Sequence, residues 1–230
     1  MPLSTRARYA SNFSFNARFT AIAYIIFFMK EMPIFEEVFN RLIKLPGFGF
    51  KFLIGGLLSF VPIVNIFAFG YLYRLSRAVR KSGQPVLPAW HDWSGLFLDG
   101  LRFTVVWLVY WLLPISLASL IALLMPFVYL EALSSIFFLT SVLLSTVLFS
   151  SALYRYNMQK NFKDLLDLLL IIRMTGMEMP RLILPGFVFL GFLVLLQPFY
   201  GFAIFGGFLL LITFTSLRYR SIEVNSSVSF

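Results

Sequence analysis

Cysteine is absent from this 230-residue chain, and histidine occurs once, as His91. The first absence excludes disulfides, iron–sulfur ligation and thiolate zinc. The second leaves His91 without a companion histidine for a metal site. Charge is scarce as well: 13% of the residues are Asp, Glu, Lys or Arg, against about 25% in soluble domains, while 60% are hydrophobic. So little polar material cannot coat a water-soluble globule, and the chain reads as a membrane protein. What charge there is leans positive, at +9.

The position of that charge carries more information than its total. Residues 52–73, 103–154 and 182–217 contain no Lys or Arg. A helix needs about 20 apolar residues to cross a hydrocarbon core of about 30 Å. The middle stretch therefore predicts two full spans, 103–125 and 133–153, joined by a turn at 126–131 that leaves Glu131 outside. Basic residues gather between the stretches: Arg74, Arg77, Arg80 and Lys81; then Arg155, Lys160, Lys163, Arg173 and Arg181; then Arg218 and Arg220. The positive-inside rule makes these cytoplasmic, and a bacterial inner membrane is the expected location. Basic residues spread along every cytoplasmic edge do not form the single stripe that nucleic acid requires, so no nucleic-acid partner is expected.

The outer two stretches are each broken by proline. Arg6, Arg8, Arg18, Lys30, Arg41, Lys44 and Lys51 precede 52–73, and one clean crossing would put them on the wrong side. Pro62, close to Asn65, removes a helical hydrogen bond in mid-stretch and predicts a sharp break. Two readings stay open for 48–73, a re-entrant hairpin and a kinked single span. Gln197 and Pro198 divide 182–217 into two arms that are short for full spans, which predicts a second hairpin. Leu45-Pro46-Gly47-Phe48 and Leu184-Pro185-Gly186-Phe187 open the two regions alike, suggesting a degenerate internal repeat.

Three segments have the pattern of helices lying in the interface. In 33–44, Ile34, Phe35, Val38, Phe39, Leu42 and Ile43 oppose Glu36, Glu37, Asn40, Arg41 and Lys44. Residues 161–174 start at an Asn161/Asp164 pair resembling a capping box. A shorter segment runs from Asp92 or Ser94 to Arg102 within an otherwise cytoplasmic loop, 74–102. Trp90, Asp92, Trp93 and Asp99 are the expected interfacial anchors, and Arg74, Arg77, Arg80 and Lys81 the expected contacts to anionic lipid. Residues 1–30 read as an N-terminal arm, with 19–29 inserted shallowly or packed on a neighbour, and 221–230 as a tail. The expected fold is all-α and membrane-integral: two full spans, two proline-broken hairpins and interfacial amphipathic helices.

The runs Ile54-Gly-Gly-Leu-Leu through Pro62-Ile-Val-Asn65, Gly70-Tyr-Leu-Tyr-Arg74 and Leu87-Pro-Ala-Trp90-His-Asp92-Trp93 through Asp99-Gly100-Leu101 resemble an uncharacterised family of prokaryotic polytopic membrane proteins, known only as a domain of unknown function. Arg155-Tyr156 and the run from Asn161-Phe162 to Arg173 are similar to its second half. The resemblance covers roughly 35–220. It implies the polytopic architecture and brings no activity with it.

Chemistry is hard to find. His91 beside Asp92 lacks a nucleophile or a second acid in reach, and Ser94 does not supply one. No catalytic residue and no cofactor is expected, with His91 the one candidate ligand for a pigment or metal. Coupled transport places paired ionisable groups inside the membrane, where only Glu131, Asn65 and Gln197 qualify. The leading expectation is a non-catalytic accessory, scaffold or assembly subunit of a larger membrane complex, such as an electron-transfer or photosynthetic one. Its partners would be lipids and other integral membrane subunits. Two alternatives remain: a small-molecule or lipid transporter with a site at Pro62, Asn65, Gln197 and Pro198, and a membrane-shaping protein.

Overall fold

The computed structural model describes residues 35–125, 131–159 and 162–228, and among these every regular element is helical. The arm 1–30 and the turn residues 126–130 lie outside the described residues, as do Asn161 and the last two residues of the tail.

Helix α1 (Phe35–Ile43) buries Leu42 and partly covers Phe35, Val38 and Phe39, while Glu36, Glu37, Asn40 and Arg41 stay exposed. Gly47, at φ 73, supplies the left-handed turn that follows. The chain then leaves at 96° to α1 as α2 (Phe48–Phe60). Residues 61–64 break the helix around Pro62, and Ile63 there takes φ 73, a conformation disfavoured for a β-branched residue. Helix α3 (Asn65–Ser82) follows. Residues 74–82, expected in a loop, thus complete a helix, because no breaker intervenes before Gly83 caps it at φ 71.

The rod from Trp93 to Leu124 comprises α4 (Trp93–Trp107), a π-helical turn (Leu108–Leu112) and α5 (Leu113–Leu124). Pro114 has no N–H to offer the preceding turn, and the widened turn accommodates it without ending the helix. Helix α6 (Glu131–Gln159) returns, a 3₁₀ turn (Phe162–Leu165) follows, and α7 (Leu168–Leu195) and α8 (Tyr200–Val228) complete the fold, joined by a 3₁₀ turn at Gln197–Phe199.

Among the described residues, four helices are long and apolar enough to cross a membrane: Trp93–Leu124, Leu133–Met158, Leu168–Leu195 and Gln197–Val224. The sequence reading foresaw two full spans; α7 and α8, expected as the short arms of one hairpin, are the other two. From Leu168 onward, the segment expected as a separate interfacial helix at 161–174 is continuous with the first arm of the 182–217 hairpin, and Phe162–Leu165 forms a 3₁₀ turn before it. The helix starts at Leu168 and is capped by Asp167, whose carboxylate accepts the Leu170 amide at 3.2 Å, instead of at Asn161. Pro180 and Pro185 are carried inside it. The turn at Gln197 stands where proline predicted it. The suggested repeat does not survive as structure, since 45–47 forms a turn that leads into α2 while 184–187 sits inside α7.

Helix α8 is the centre of the packing: 78% of its span window is buried, against 22% for Trp93–Leu124. Phe205 and Phe208 meet Tyr71, Phe103, Trp111, Phe149 and Phe189 at ring-centroid distances of 4.7 to 6.1 Å. Gly55 and Gly56 lie directly against Phe205 and Phe202. Along α8, residues 52 to 60 of α2 contact in reverse order (Phe52 with Phe205, Phe60 with Tyr200). Residues of α3 contact in the same order (Tyr71 with Phe205, Ser76 with Ser216, Arg80 with Glu223). The chain therefore reverses at 61–64, and α2–α3 is a helical hairpin.

Candidate functional site at the charged end of the bundle

Two polar assemblies form at the end where α3, α6 and α8 finish and α7 begins. The first is set by the crossing of α3 and α4. A Cβ added to Gly70 would stand 1.9 Å from the Leu96 carbonyl oxygen, and one added to Gly100 would stand 1.9 Å from that of Ile66. Glycine at both positions lets the two backbones touch.

That contact delivers Arg74, one turn beyond Gly70, to the start of α4. Its Nε donates to Asp99 Oδ2 at 3.0 Å, Nη2 to Asp92 Oδ2 at 2.9 Å and Nη1 to the His91 carbonyl at 2.9 Å. Arg102 holds the other Asp99 oxygen at 2.9 Å. Asp92, at φ 55, caps α4 by accepting the Gly95 amide at 3.2 Å and also takes the Ser94 hydroxyl at 3.1 Å. The Gly95 amide, the Arg74 guanidinium and the Ser94 hydroxyl, in that order of effect, hold the Asp92 carboxyl below its ordinary range. Trp90 stacks on Tyr71 at 4.3 Å and reaches Trp93 at 6.0 Å, while Lys51 Nζ donates to the Leu87 carbonyl at 2.9 Å.

The second assembly lies between α3, α6, α7 and α8. Asn157 Nδ2 donates to Ser76 Oγ at 2.7 Å, and Ser76 in turn meets Ser216 Oγ at 3.1 Å. Arg80 donates to the Asn157 carbonyl and to Glu223 Oε1, each at 3.2 Å, and lies 5.5 Å from the Tyr154 ring centroid. Glu178, 5% exposed, sits between two cations: Arg181 Nη1 at 2.9 Å on one oxygen and Arg218 Nε at 3.1 Å on the other. Beside it, the Tyr219 hydroxyl pairs with Ser151 Oγ at 2.8 Å.

These contacts sort the residues singled out in the sequence. Arg74 and Arg80 are engaged inside the protein, Arg77 lies 5.9 Å from the Tyr73 ring centroid, and Lys81 is exposed. Trp90 and Asp99 face inward; Asp92 and Trp93 are exposed. His91 is exposed with Nδ1 3.2 Å from the Ala89 carbonyl, and among the described residues no three His, Cys, Asp or Glu side chains converge as a metal site. The two helix breaks share one end, the Tyr200 hydroxyl donating to the Phe60 carbonyl at 2.6 Å. Pro62, Gln197 and Pro198 are exposed there and Asn65 is half-buried, so these residues belong to an end surface.

Sequence reasoning missed Glu178. Its signal was available: a lone acid three residues before Arg181, on the helix spacing that pairs side chains. Chemically, both assemblies do the same work. Each buried acid is met by arginine, and a charge withdrawn from water is tolerable only when so paired. The pairs run between α3 and α4, α3 and α8, and α7 and α8, which makes them the polar joints of the bundle.

A family described as protein of unknown function, DUF4013, matches residues 54–223, roughly three quarters of the chain, and the chain belongs to that family. The matched region begins within α2 and ends within α8, so it holds both polar assemblies and leaves α1 outside. No curated protein and no solved structure matches the chain.

Proposed function

We propose that this member of a family without an assigned activity is a non-catalytic scaffold, an accessory or assembly subunit that docks on a larger membrane complex through α4 and α5. The observation that carries the reading is a stripe on the least buried span. Leu98, Leu101, Val105 and Leu108 are exposed on α4 and the start of the π turn, and Leu113, Leu117, Leu120 and Leu124 are exposed on α5. Each set follows the three-and-four spacing of a seam between helices. The interval from Leu108 to Leu113 is five residues, one π turn. The widened turn thus restores the phase and keeps both sets on one face. Lipid needs only apolar side chains; a partner helix needs register, and the π turn supplies it.

The charged assemblies support the same reading because their groups serve internal cohesion. Aromatic richness, 19% of residues, suits packing against pigment-bearing or electron-transfer subunits. The orientation that goes with it puts the arginine-rich end on the cytoplasmic side of a bacterial inner membrane, with lipids and integral membrane subunits as partners and no role for nucleic acid. The α2–α3 hairpin then enters from that side. Thirteen residues of α2 rise about 20 Å, short of a hydrocarbon core of about 30 Å.

Purification from the native membrane in a mild detergent, followed by mass spectrometry, tests the proposal. Stoichiometric partner subunits are expected, and they should be lost from a Leu113→Ala/Leu120→Ala variant. A wild-type protein that migrates alone would sink it. One observation favours a second reading, that of a membrane-shaping wedge: α1 lies at 96° to a helix too short to span. Curvature of reconstituted vesicles separates the two. The transporter alternative has less support, because Pro62, Gln197 and Pro198 lie on an end surface.

A further inference from the structure

Helix α1 lies outside the region matched by the family and directs a charged face away from the bundle. Glu36, Glu37, Asn40, Arg41 and Lys44 are all exposed. Lys44 keeps the helical spacing, its amide donating to the Asn40 carbonyl at 3.3 Å. Glu37 and Arg41 pair along the helix at 2.5 Å, whereas Glu36 and Lys44 form no ion pair among the described residues. The opposite face rests on the middle of the Gln197–Val224 span: Phe35 meets Phe214 at 5.6 Å, and Phe39 and Leu42 border Gly206 and Leu210. Because α2 runs along α8 and stands at 96° to α1, α1 lies across that span. Its charged face therefore emerges midway along a membrane-crossing helix, where charge left against lipid is most costly.

The face complements itself. Glu36 and Glu37 occupy its first turn, Arg41 and Lys44 its last, and Asn40 its centre, so its two acids and two bases cancel. We propose that it is covered by a second copy of this chain, the two α1 helices lying antiparallel about a two-fold axis at Asn40. That axis sets Glu36 against Lys44 of the second copy, repeats the pair on the other side, and brings the two Asn40 amides together. Glu36 and Lys44 are equally far from Asn40 along the chain, so both ion pairs close in one register, which the central amide pair fixes. The preceding arm is not the occupant, because residues 1–30 carry Arg6, Arg8, Arg18 and Lys30 and no acid, and could answer Glu36 but never Lys44. At about 13 Å of helix, the contact is smaller than a standard interface, so the dimer is reversible and belongs to the bilayer, where water does not compete for the paired charges. It uses none of the α4–α5 stripe and stands or falls independently of the scaffold reading.

The chain has no cysteine, so single introduced ones report the geometry directly. In lipid vesicles of rising protein density, full-length Asn40→Cys should cross-link to itself on mild oxidation, since residues on the axis approach the roughly 4.4–6.8 Å Cα separation of a disulfide. Glu36→Cys should not, its two copies standing about 12 Å apart along the helices; mixing it with Lys44→Cys should restore the cross-link. Charge reversal reads the ion pairs, with dimerisation followed by energy transfer between labelled copies. Glu36→Lys and Lys44→Glu should each weaken it about a hundredfold, two like-charge contacts at about tenfold each. Glu36→Lys/Lys44→Glu should return to wild type. The proposal is overturned if Asn40→Cys cross-links no better than Glu36→Cys, or if the double reversal stays as weak as the single ones. It is equally overturned if, at the highest protein density, Asn40→Cys reacts with a water-soluble maleimide instead, or if in the native membrane it cross-links to a different protein.

Discussion

Replacing Gly70 by alanine tests the account of the α3–α4 crossing most directly, because two effects of known sign oppose each other there. Inside a helix, alanine is better than glycine by about 0.5–1 kcal/mol. At Gly70 the new methyl would stand 1.9 Å from the Leu96 carbonyl oxygen and 3.1 Å from the Gly100 nitrogen. Both are backbone atoms, so no rotamer change relieves the overlap and the helices must separate by about 1 Å. Overpacking of this kind costs about 1–3 kcal/mol. Separation also draws Arg74 away from Asp92 and Asp99, weakening hydrogen bonds between charged groups worth about 1.5–3 kcal/mol when lost outright. The net expectation is a loss of about 2 kcal/mol, or about 4–8 °C in melting temperature for a chain of this size. Gly191→Ala in α7 is the control, since its Cβ would meet nothing within 4 Å; there the helix preference acts alone and the melting temperature should rise by about 1–4 °C. Thermal unfolding in one detergent, followed by circular dichroism, measures both. A Gly70→Ala protein as stable as wild type would refute the close crossing.

Other consequences can be checked in the same assay. Glu178→Leu strands Arg218 and should cost about 3–5 kcal/mol, whereas Glu178→Leu/Arg218→Leu should recover most of it. Arg74→Lys keeps the charge but cannot reach Asp92, Asp99 and the His91 carbonyl together, so a loss of about 1.5–3 kcal/mol is expected. Ile63→Gly relieves a left-handed β-branched residue that is 77% exposed and should gain about 1–2 kcal/mol. Asp92 has a folded carboxyl value held below the unfolded one of about 3.9. Its stabilising contribution is therefore complete above that value and lost as pH falls through the lower folded one. The melting difference between wild type and Asp92→Asn should accordingly be constant near neutrality and close as the solution is acidified past pH 4.

The legible part of the fold was what one helix can decide by itself. The amphipathic face of α1, the breaks at Pro62 and Gln197, and the apolar character of the spans follow from local spacing and proline. The extent of α7 was not legible, because Arg173 falls in the expected interfacial segment 161–174 and Arg181 on a cytoplasmic flank when each is taken as an exposed charge, and Glu178 between them was missed. In the bundle Arg181 and Arg218 neutralise Glu178, and the helix continues through them. The same reason governs Arg74 and Arg80. As a sequence cluster with Arg77 and Lys81 they look like a lipid-facing flank, yet their carboxylate partners lie 18 to 143 residues away along the chain. Charge pairing across helices is a tertiary fact with no local spacing to announce it.

The division between buried charge and exposed hydrocarbon bears on how such a scaffold could be selective. At the charged end, Arg74, Arg80 and Arg218 are directed to internal carboxylates, and a partner that competed for them would have to leave a buried acid unpaired, at a cost of several kcal/mol. Recognition through those groups is therefore disfavoured. On the Trp93–Leu124 span the exposed hydrophobic side chains are mostly leucine and valine, with Trp93, Phe97 and Ile121, and lipid solvates them as well as a partner helix does, so burial alone brings little preference in a membrane. What remains is shape and register. An unbroken α-helix would turn Leu113 and its successors away from Leu108 and split the seam. The π turn at Leu108–Leu112 keeps it whole. Deleting one residue within that turn, for instance Val109, should turn the five-residue interval into the four of an ordinary α-helix and leave the seam whole, whereas inserting one alanine after Leu112 should rotate α5 by about 100° relative to α4 with span length and hydropathy nearly unchanged. A scaffold that reads register would keep its partner on the deletion and lose it on the insertion, while a lipid-solvated rod would respond to neither.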